Sequence, residues 1–151
     1  GAVRDRRVEP FAFTTNYVQA WCYDTESHSC KLFKLSRIGS VEILPNDWEW
    51  ESEHNKGFID IFRMNGNERH PICLKLGILA HNLLVEEYPL AEEYLTQTDD
   101  GWILQTDVAS YAGVGRFVVG LMDDIKIIDT PKLEQYIASY VEKYWSNAIN
   151  R

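Results

Sequence analysis

The stretch His70 to Tyr88, HPICLKLGILAHNLLVEEY, decides the fold, because the spacing of its apolar residues changes partway along. Ile72 to Leu76 is strand-like, whereas Leu79, Leu83 and Leu84 fall at helical spacing until Pro89 disrupts the run. Before this point the apolar residues come in short clusters broken by turn-formers: Phe11-Ala12-Phe13, Tyr17 to Cys22, Lys31 to Ile38, Val41 to Leu44 and Phe58 to Phe62. The breaks are Thr14-Thr15-Asn16, the polar run Asp24 to Ser29, Gly39-Ser40 and Pro45-Asn46-Asp47. About five short strands with no helix between them are expected. A small closed barrel is the economical arrangement, since closure removes exposed edges.

Downstream, strands and helices alternate. Tyr94 to Thr96 and Trp102 to Gln105 flank Asp99-Asp100-Gly101, a strong hairpin signal. Val108, Tyr111, Ala112, Phe117, Val118 and Leu121 suggest a second helix, weakened by Gly113, Gly115 and Gly120. Ile125 to Ile128 reads as a strand. Thr130 is expected to cap the last helix, with Pro131 at its first position and Leu133, Tyr136, Ile137, Tyr140, Val141 and Tyr144 forming one apolar stripe. The order β-α-β-β-α-β-α is a split βαβ sheet with an added helix. The chain is therefore expected to be α+β: a small β-barrel over residues 3–63, then a ferredoxin-like βαββαβ domain with an extra C-terminal helix over residues 70–151.

Composition narrows the function. With 15 Lys plus Arg against 23 Asp plus Glu the net charge is −8, so a broad basic surface for duplex DNA is not expected. The basic residues concentrate in the first part, with 9 positive and 11 negative charges up to His70 and 6 against 12 beyond it. No apolar run is long enough to span a membrane and no signal peptide is visible, so a cytoplasmic location is expected. Cys22, Cys30 and Cys73 are an odd and sparse set and read as reduced thiols. The chain begins Gly-Ala instead of with Met and is expected to be a piece of a longer protein.

The first half resembles a WYL domain, a family of bacterial ligand-sensing domains with an SH3-like or Sm-like barrel. The resemblance rests on Arg6-Arg7-Val8-Glu9-Pro10, on Asn16-Tyr17-Val18 with Ala20-Trp21-Cys22, and on the basic strand Lys31 to Ile38. The second half is similar to the C-terminal extension (WCX) that follows such domains, through the Asp100-Gly101 hairpin, Gly115-Arg116-Phe117 and Thr130-Pro131-Lys132-Leu133. Of the Trp-Tyr-Leu triplet only Tyr17 is kept. Lys31 and Lys34 stand where arginine is usual, and Ser36 stands where aspartate is usual. Lysine keeps the charge without the bidentate fork that suits phosphate.

On the residues alone, a solvated edge explains the basic strand. The resemblance implies instead a pocket for a phosphate-bearing ligand, a nucleotide or single-stranded nucleic acid, lined by Arg6, Lys31, Lys34 and Arg37 with Tyr17 as a stacking face. Alternation puts Lys31 and Arg37 on one face and Lys34 on the other, so convergence needs a bulge or strong curvature. The resemblance also implies a module of a bacterial transcriptional regulator that meets duplex DNA only through a helix-turn-helix, and none is visible in these residues. A homodimer is expected. The alternative is a protein-interaction or oligomerisation module working through Tyr136, Tyr140 and Tyr144. Trp21, Trp48 and Trp50 read as packing residues.

No enzyme, cofactor or metal is expected. Glu86-Glu87, Glu92-Glu93, Asp99-Asp100 and Asp123-Asp124 are adjacent pairs whose side chains point apart, and they read as solvated faces and turns. Cys22, His28 and Cys30 match no zinc spacing, and His81 has no partner at helical spacing. Gly113-Val114-Gly115 lacks the context of a dinucleotide loop.

Overall fold

The computed structural model describes residues 2–149; Gly1, Asn150 and Arg151, the last two of them within the expected second domain, lie outside these. The chain divides into two compact units between Gly57 and Phe58.

The first unit holds three strands, β1 (Val8–Phe13), β2 (Gln19–Asp24) and β3 (Ser29–Lys34), in an antiparallel sheet of that order. A 3-10 turn at Thr15–Tyr17 joins the first two, and another at Leu35–Arg37 follows the third. Pro10, which cannot donate to a ladder, sits where the β1–β2 register slips before Ala12, and the extra residue, Phe11, stacks on His54 at 4.6 Å. The five-strand closure expected over residues 3–63 is not formed: among the described residues of this unit three strands are paired. Val41 to Leu44 forms no strand and Ile43 is 92% exposed. Farther along, Trp50 and Glu49 donate their N–H groups to the Glu9 carboxylate (3.0 and 3.4 Å) instead of to a neighbouring strand. The basic strand likewise ends at Lys34, three residues before Arg37.

The second unit opens with the residues expected as a fifth barrel strand. They form a two-stranded ribbon, β4 (Phe58–Ile59) with β5 (Asn65–Gly66). Asp60 ends that strand: its buried carboxylate accepts the N–H groups of Phe62 (2.9 Å), Met64 (3.0 Å) and Ala109 (2.9 Å). Phe62 enters the core of this unit. There follow β6 (His70–Leu76), α1 (Ile78–Glu87), a 3-10 segment Pro89–Tyr94, β7 (Leu95–Thr98), β8 (Gly101–Val108), α2 (Tyr111–Gly120), β9 (Ile125–Ile127) and α3 (Pro131–Ile149). The sheet order is β7-β8-β6-β9 with every neighbour antiparallel. Ile72, Leu74 and Leu76 are buried, and Leu74 opposes Leu104 on β8 and Ile127 on β9.

Two details depart from the sequence reading. In α1 the inward pair is Ala80 and Leu84, while Leu79 and Leu83 are exposed. The helix is apolar on more than one side, so periodicity alone does not fix its phase. Asp124 fixes it from outside: the carboxylate accepts the N–H of Ala80 at 2.7 Å, and its backbone carbonyl accepts that of Gly77 at 2.9 Å. A Cβ at Gly77 would overlap that carboxylate. At the other end Arg63 donates to the carbonyl of Glu87 at 2.7 Å, so each pole of the helix meets the opposite charge. Asp124 is thus a helix cap and not a solvated turn residue. The second detail is Thr130, whose hydroxyl donates to the Ile128 carbonyl (2.7 Å) and accepts from the Cys73 N–H (3.2 Å). Its backbone carbonyl takes the first helical N–H groups, those of Leu133 and Glu134.

Gly113 shows why α2 carries a poor helix former. A Cβ there would stand 2.7 Å from that of Phe62.

Asp124→Ala is expected to lower the stability of the second unit by about 1–2 kcal/mol, the range for a lost N-terminal cap with its favourable dipole contact. Asp124→Asn, which keeps an acceptor, should recover part of this, as read from urea midpoints. Gly113→Ala should cost about 1–3 kcal/mol through overpacking.

Candidate functional site

Strand register sorts the side chains of the first unit onto two faces. Cys22 pairs with Lys31 and Ala20 with Phe33, while Asp24 opposes both Ser29 and Val8. One face therefore carries Phe13, Ala20, Phe33, Cys22, Lys31 and Asp24, and the other carries Glu9, Trp21, Tyr23, Leu32 and Lys34.

On the first face Asp24 is the organising group. It is fully buried, and its Oδ1 accepts the N–H groups of Glu26 (3.0 Å) and Ser27 (3.4 Å), which shapes the β2–β3 turn. Its Oδ2 accepts from Arg6 Nη1 at 2.7 Å and from Lys31 Nζ at 3.1 Å. Burial by itself would raise this carboxyl; the hydrogen bond from Lys31 and those from the turn outweigh it and lower the pKa to about 2. The Arg6 guanidinium also lies 5.7 Å from the centre of the Phe33 ring. Phe13, in the same row as Phe33 across Ala20, is 58% exposed, and its ring meets that of Tyr17 at 5.5 Å. Tyr17 is 73% exposed and held at φ 55, a left-handed conformation uncommon for a bulky residue.

Arg6 and Lys31 are thus brought together, and Tyr17 stands at the far end of the same row of aromatic rings. Lys34 lies on the opposite face, about 10 Å along the strand from Lys31 at the usual rise of ~3.3 Å per residue. Arg37 ends the 3-10 turn after β3, which breaks the alternation. Both are exposed, and among the described residues neither forms an ion pair. The placement of Phe13 and Phe33 beside Tyr17 and Arg6 was not legible from the sequence, because nothing local distinguishes them from core aromatics. Pairing across Ala20, a small residue, was the available signal.

The opposite face is occupied. Glu9, buried, accepts the N–H groups of Trp50 and Glu49 and lies 3.3 Å from His54 Nε2. His54 stacks on Phe11 and meets Trp48 edge-on at 4.8 Å, while Trp50 stacks on Tyr23 at 5.6 Å. Trp48 and Trp50 therefore pack the segment around residues 48–54 onto the sheet. Trp21 is buried.

The remaining candidates separate. Cys22 is buried, which pushes its thiol up to about 11, and Cys30 lies on the other face with its Sγ 3.3 Å from the Glu53 carbonyl. His28 contacts the Tyr23 hydroxyl (3.4 Å) and the Trp50 ring. Cys73 is raised by burial and then by the negative charge of Asp129. His81 stacks on Trp102 with ring centres 3.9 Å apart.

No protein-family profile matches the chain, and no curated protein does. Among solved structures it is similar to Proteasome accessory factor B/C (PafBC) of Arthrobacter aurescens at 17% identity, with a TM-score of 0.38 over 91% of this chain and 21% of that one. The chain spans about a fifth of the length of that protein.

Because Asp24 has its pKa at about 2 in the fold against an ordinary 3.8, its ionised form stabilises the first unit by about 2 kcal/mol at neutral pH. The folded value lies below the unfolded one, so this stability is present above about pH 4 and is lost as pH falls toward about 2. Denaturant midpoints across that window should drop for the wild type and stay flatter for Asp24→Asn.

Proposed function

We propose that this chain is a non-enzymatic sensor module that binds a phosphate-bearing ligand, a nucleotide or a short single strand of nucleic acid. The ligand lies on the sheet face that carries Arg6, Lys31, Phe13 and Tyr17. The observation that carries this reading is the side-by-side placement of two fixed cations and a row of exposed rings, with Arg6 bonded to Asp24 and lying beside Phe33. A cation takes a phosphate oxygen and a ring takes a base, and the two together recognise a nucleotide unit. Lys34 and Arg37 act at longer range, drawing an anion toward this end of an otherwise acidic chain.

The resemblance to WYL domains supports the setting: a cytoplasmic regulatory module of a bacterial transcriptional regulator that meets duplex DNA through a helix-turn-helix. The order β7-β8-β6-β9 supports a ferredoxin-like reading of the second unit. The antiparallel β1–β2–β3 meander supports an SH3-like or Sm-like reading of the first unit. A second reading, a homodimer or protein-interaction module, is favoured by the end of α3, where Tyr140 and Tyr144 are exposed and Trp145 is 62% exposed. Light scattering of the chain and of a Tyr144→Ser, Trp145→Ser variant tests its homodimer form; a monomer in both removes that form.

For the leading reading, anisotropy titration with short oligothymidylates at low and moderate salt is the measurement. Lys31→Ala and Phe13→Ala should each weaken binding about tenfold, the order expected for one stacked base or one phosphate contact. Arg37→Ala and Lys34→Ala should act mainly by reducing the salt dependence. Unchanged affinity in both Lys31→Ala and Phe13→Ala removes the proposed face.

A further inference from the structure

The charge count around Asp24 bears on which phosphate this face accepts. Asp24 is fully buried, its Oδ1 is occupied by the N–H groups of Glu26 and Ser27, and its Oδ2 receives both Arg6 and Lys31. Each cation spends one donor on the carboxylate and keeps the others for a ligand. Two positive charges against one buried negative charge leave the trio with a single net positive charge. Doubling the charge of a ligand doubles its attraction to such a site, but its cost of leaving water rises with the square of the charge. On a half-buried face lined by Phe33 and Phe13, that balance favours a single charge.

We propose that Asp24 sets the specificity of this face, by holding the Arg6–Lys31 pair at one net positive charge so that a singly charged phosphodiester is preferred over a doubly charged terminal phosphate. The inference rests on the ligand reading given above and narrows it to the internal linkage of a strand. Asp24 meets no ligand atom itself; it is a positioning residue that also fixes the charge. Its carboxyl, lowered to about 2, stays ionised across the range in which a phosphate monoester takes up its second proton, at about pH 6. The charged groups facing it are Arg6 and Lys31, the neighbouring Cys22 thiol is pushed up to about 11, and His28 is engaged with Tyr23 and Trp50. A change in preference with pH therefore reports the ligand's charge.

The test is calorimetric titration of the full chain with thymidine 5′-phosphate and with its methyl ester, a matched pair differing in one charge, at about pH 7.5 and about pH 5.5. At the higher pH the ester is expected to bind about fivefold more tightly, the size of an exposed charge pair. At the lower pH, where thymidine 5′-phosphate is mostly singly charged like its ester, the difference should shrink to nearly nothing. Asp24→Asn, which leaves two positive charges, should abolish or reverse the preference at the higher pH. Arg6→Gln, at a side chain near the surface, should leave the trio neutral, weaken both ligands and sharpen the preference for the ester, because no attraction is left to offset the larger desolvation cost of the doubly charged phosphate. Equal binding of the two ligands by the wild type at the higher pH overturns the proposal, as does an unchanged preference in folded Asp24→Asn or in Arg6→Gln. Failure of the wild type to bind either ligand overturns the underlying ligand reading as well, which separates the two failures.

Discussion

A carboxylate cut off from water has to find donors for its lone pairs, and Asp24 finds four: two backbone N–H groups of the β2–β3 turn, Arg6 and Lys31. Each donor has a structural consequence. The turn N–H groups close the hairpin in register. Lys31 is tied across the β2–β3 pair, and Arg6 draws the segment before β1 over the sheet beside Phe33. The shape of the turn, the course of the N-terminal segment and the direction of two cations thus follow from one buried acid. Removing the acid would leave two part-buried cations without the carboxylate they share, and the desolvation already incurred would go uncompensated.

Asp24 belongs to a wider pattern. Glu9 accepts two N–H groups of an irregular segment, Asp60 accepts three around the β4 turn, and Asp124 caps α1. At these four places, where the backbone leaves regular structure, a carboxylate supplies the missing acceptor. This gives a second meaning to the acidic composition. Part of the net charge of −8 is spent on internal backbone donors and does not lie on a solvated surface.

The second unit was the more legible half because local signals there agree with one another. Pro131 opened the last helix, Asp99-Asp100-Gly101 turned the β7–β8 hairpin, and alternation in Ile72–Leu74–Leu76 faced the core. The phase of α1 was not legible, since what sets it is Asp124, more than forty residues away. The same holds for Phe58 to Phe62, whose apolar pattern suits a strand until Asp60 collects three distant and local N–H groups. In the first unit, Val41 to Leu44 shows strand propensity without a partner, and propensity alone makes no ladder. The basic strand was visible as a charged run. Alternation already set Lys31 and Lys34 on opposite faces, whereas the loss of Arg37 to a 3-10 turn and the arrival of Arg6 beside Lys31 were not visible in that run.

That division of faces carries the functional argument. An anion approaching a molecule of net charge −8 meets a repulsive field, and the excess of cations in the first part of the chain offsets it only locally. Charge alone would make a weak receptor, and one easily screened by salt. Stacking is short-ranged and insensitive to salt, so in the proposed function the exposed rings of Phe13 and Tyr17 would supply what electrostatics cannot. On this reading the cations choose where a phosphate sits, and the rings make it worth binding. A ligand lacking either part would lose most of its affinity, while the acidic remainder of the chain would turn away long duplexes that offer charge without accessible bases.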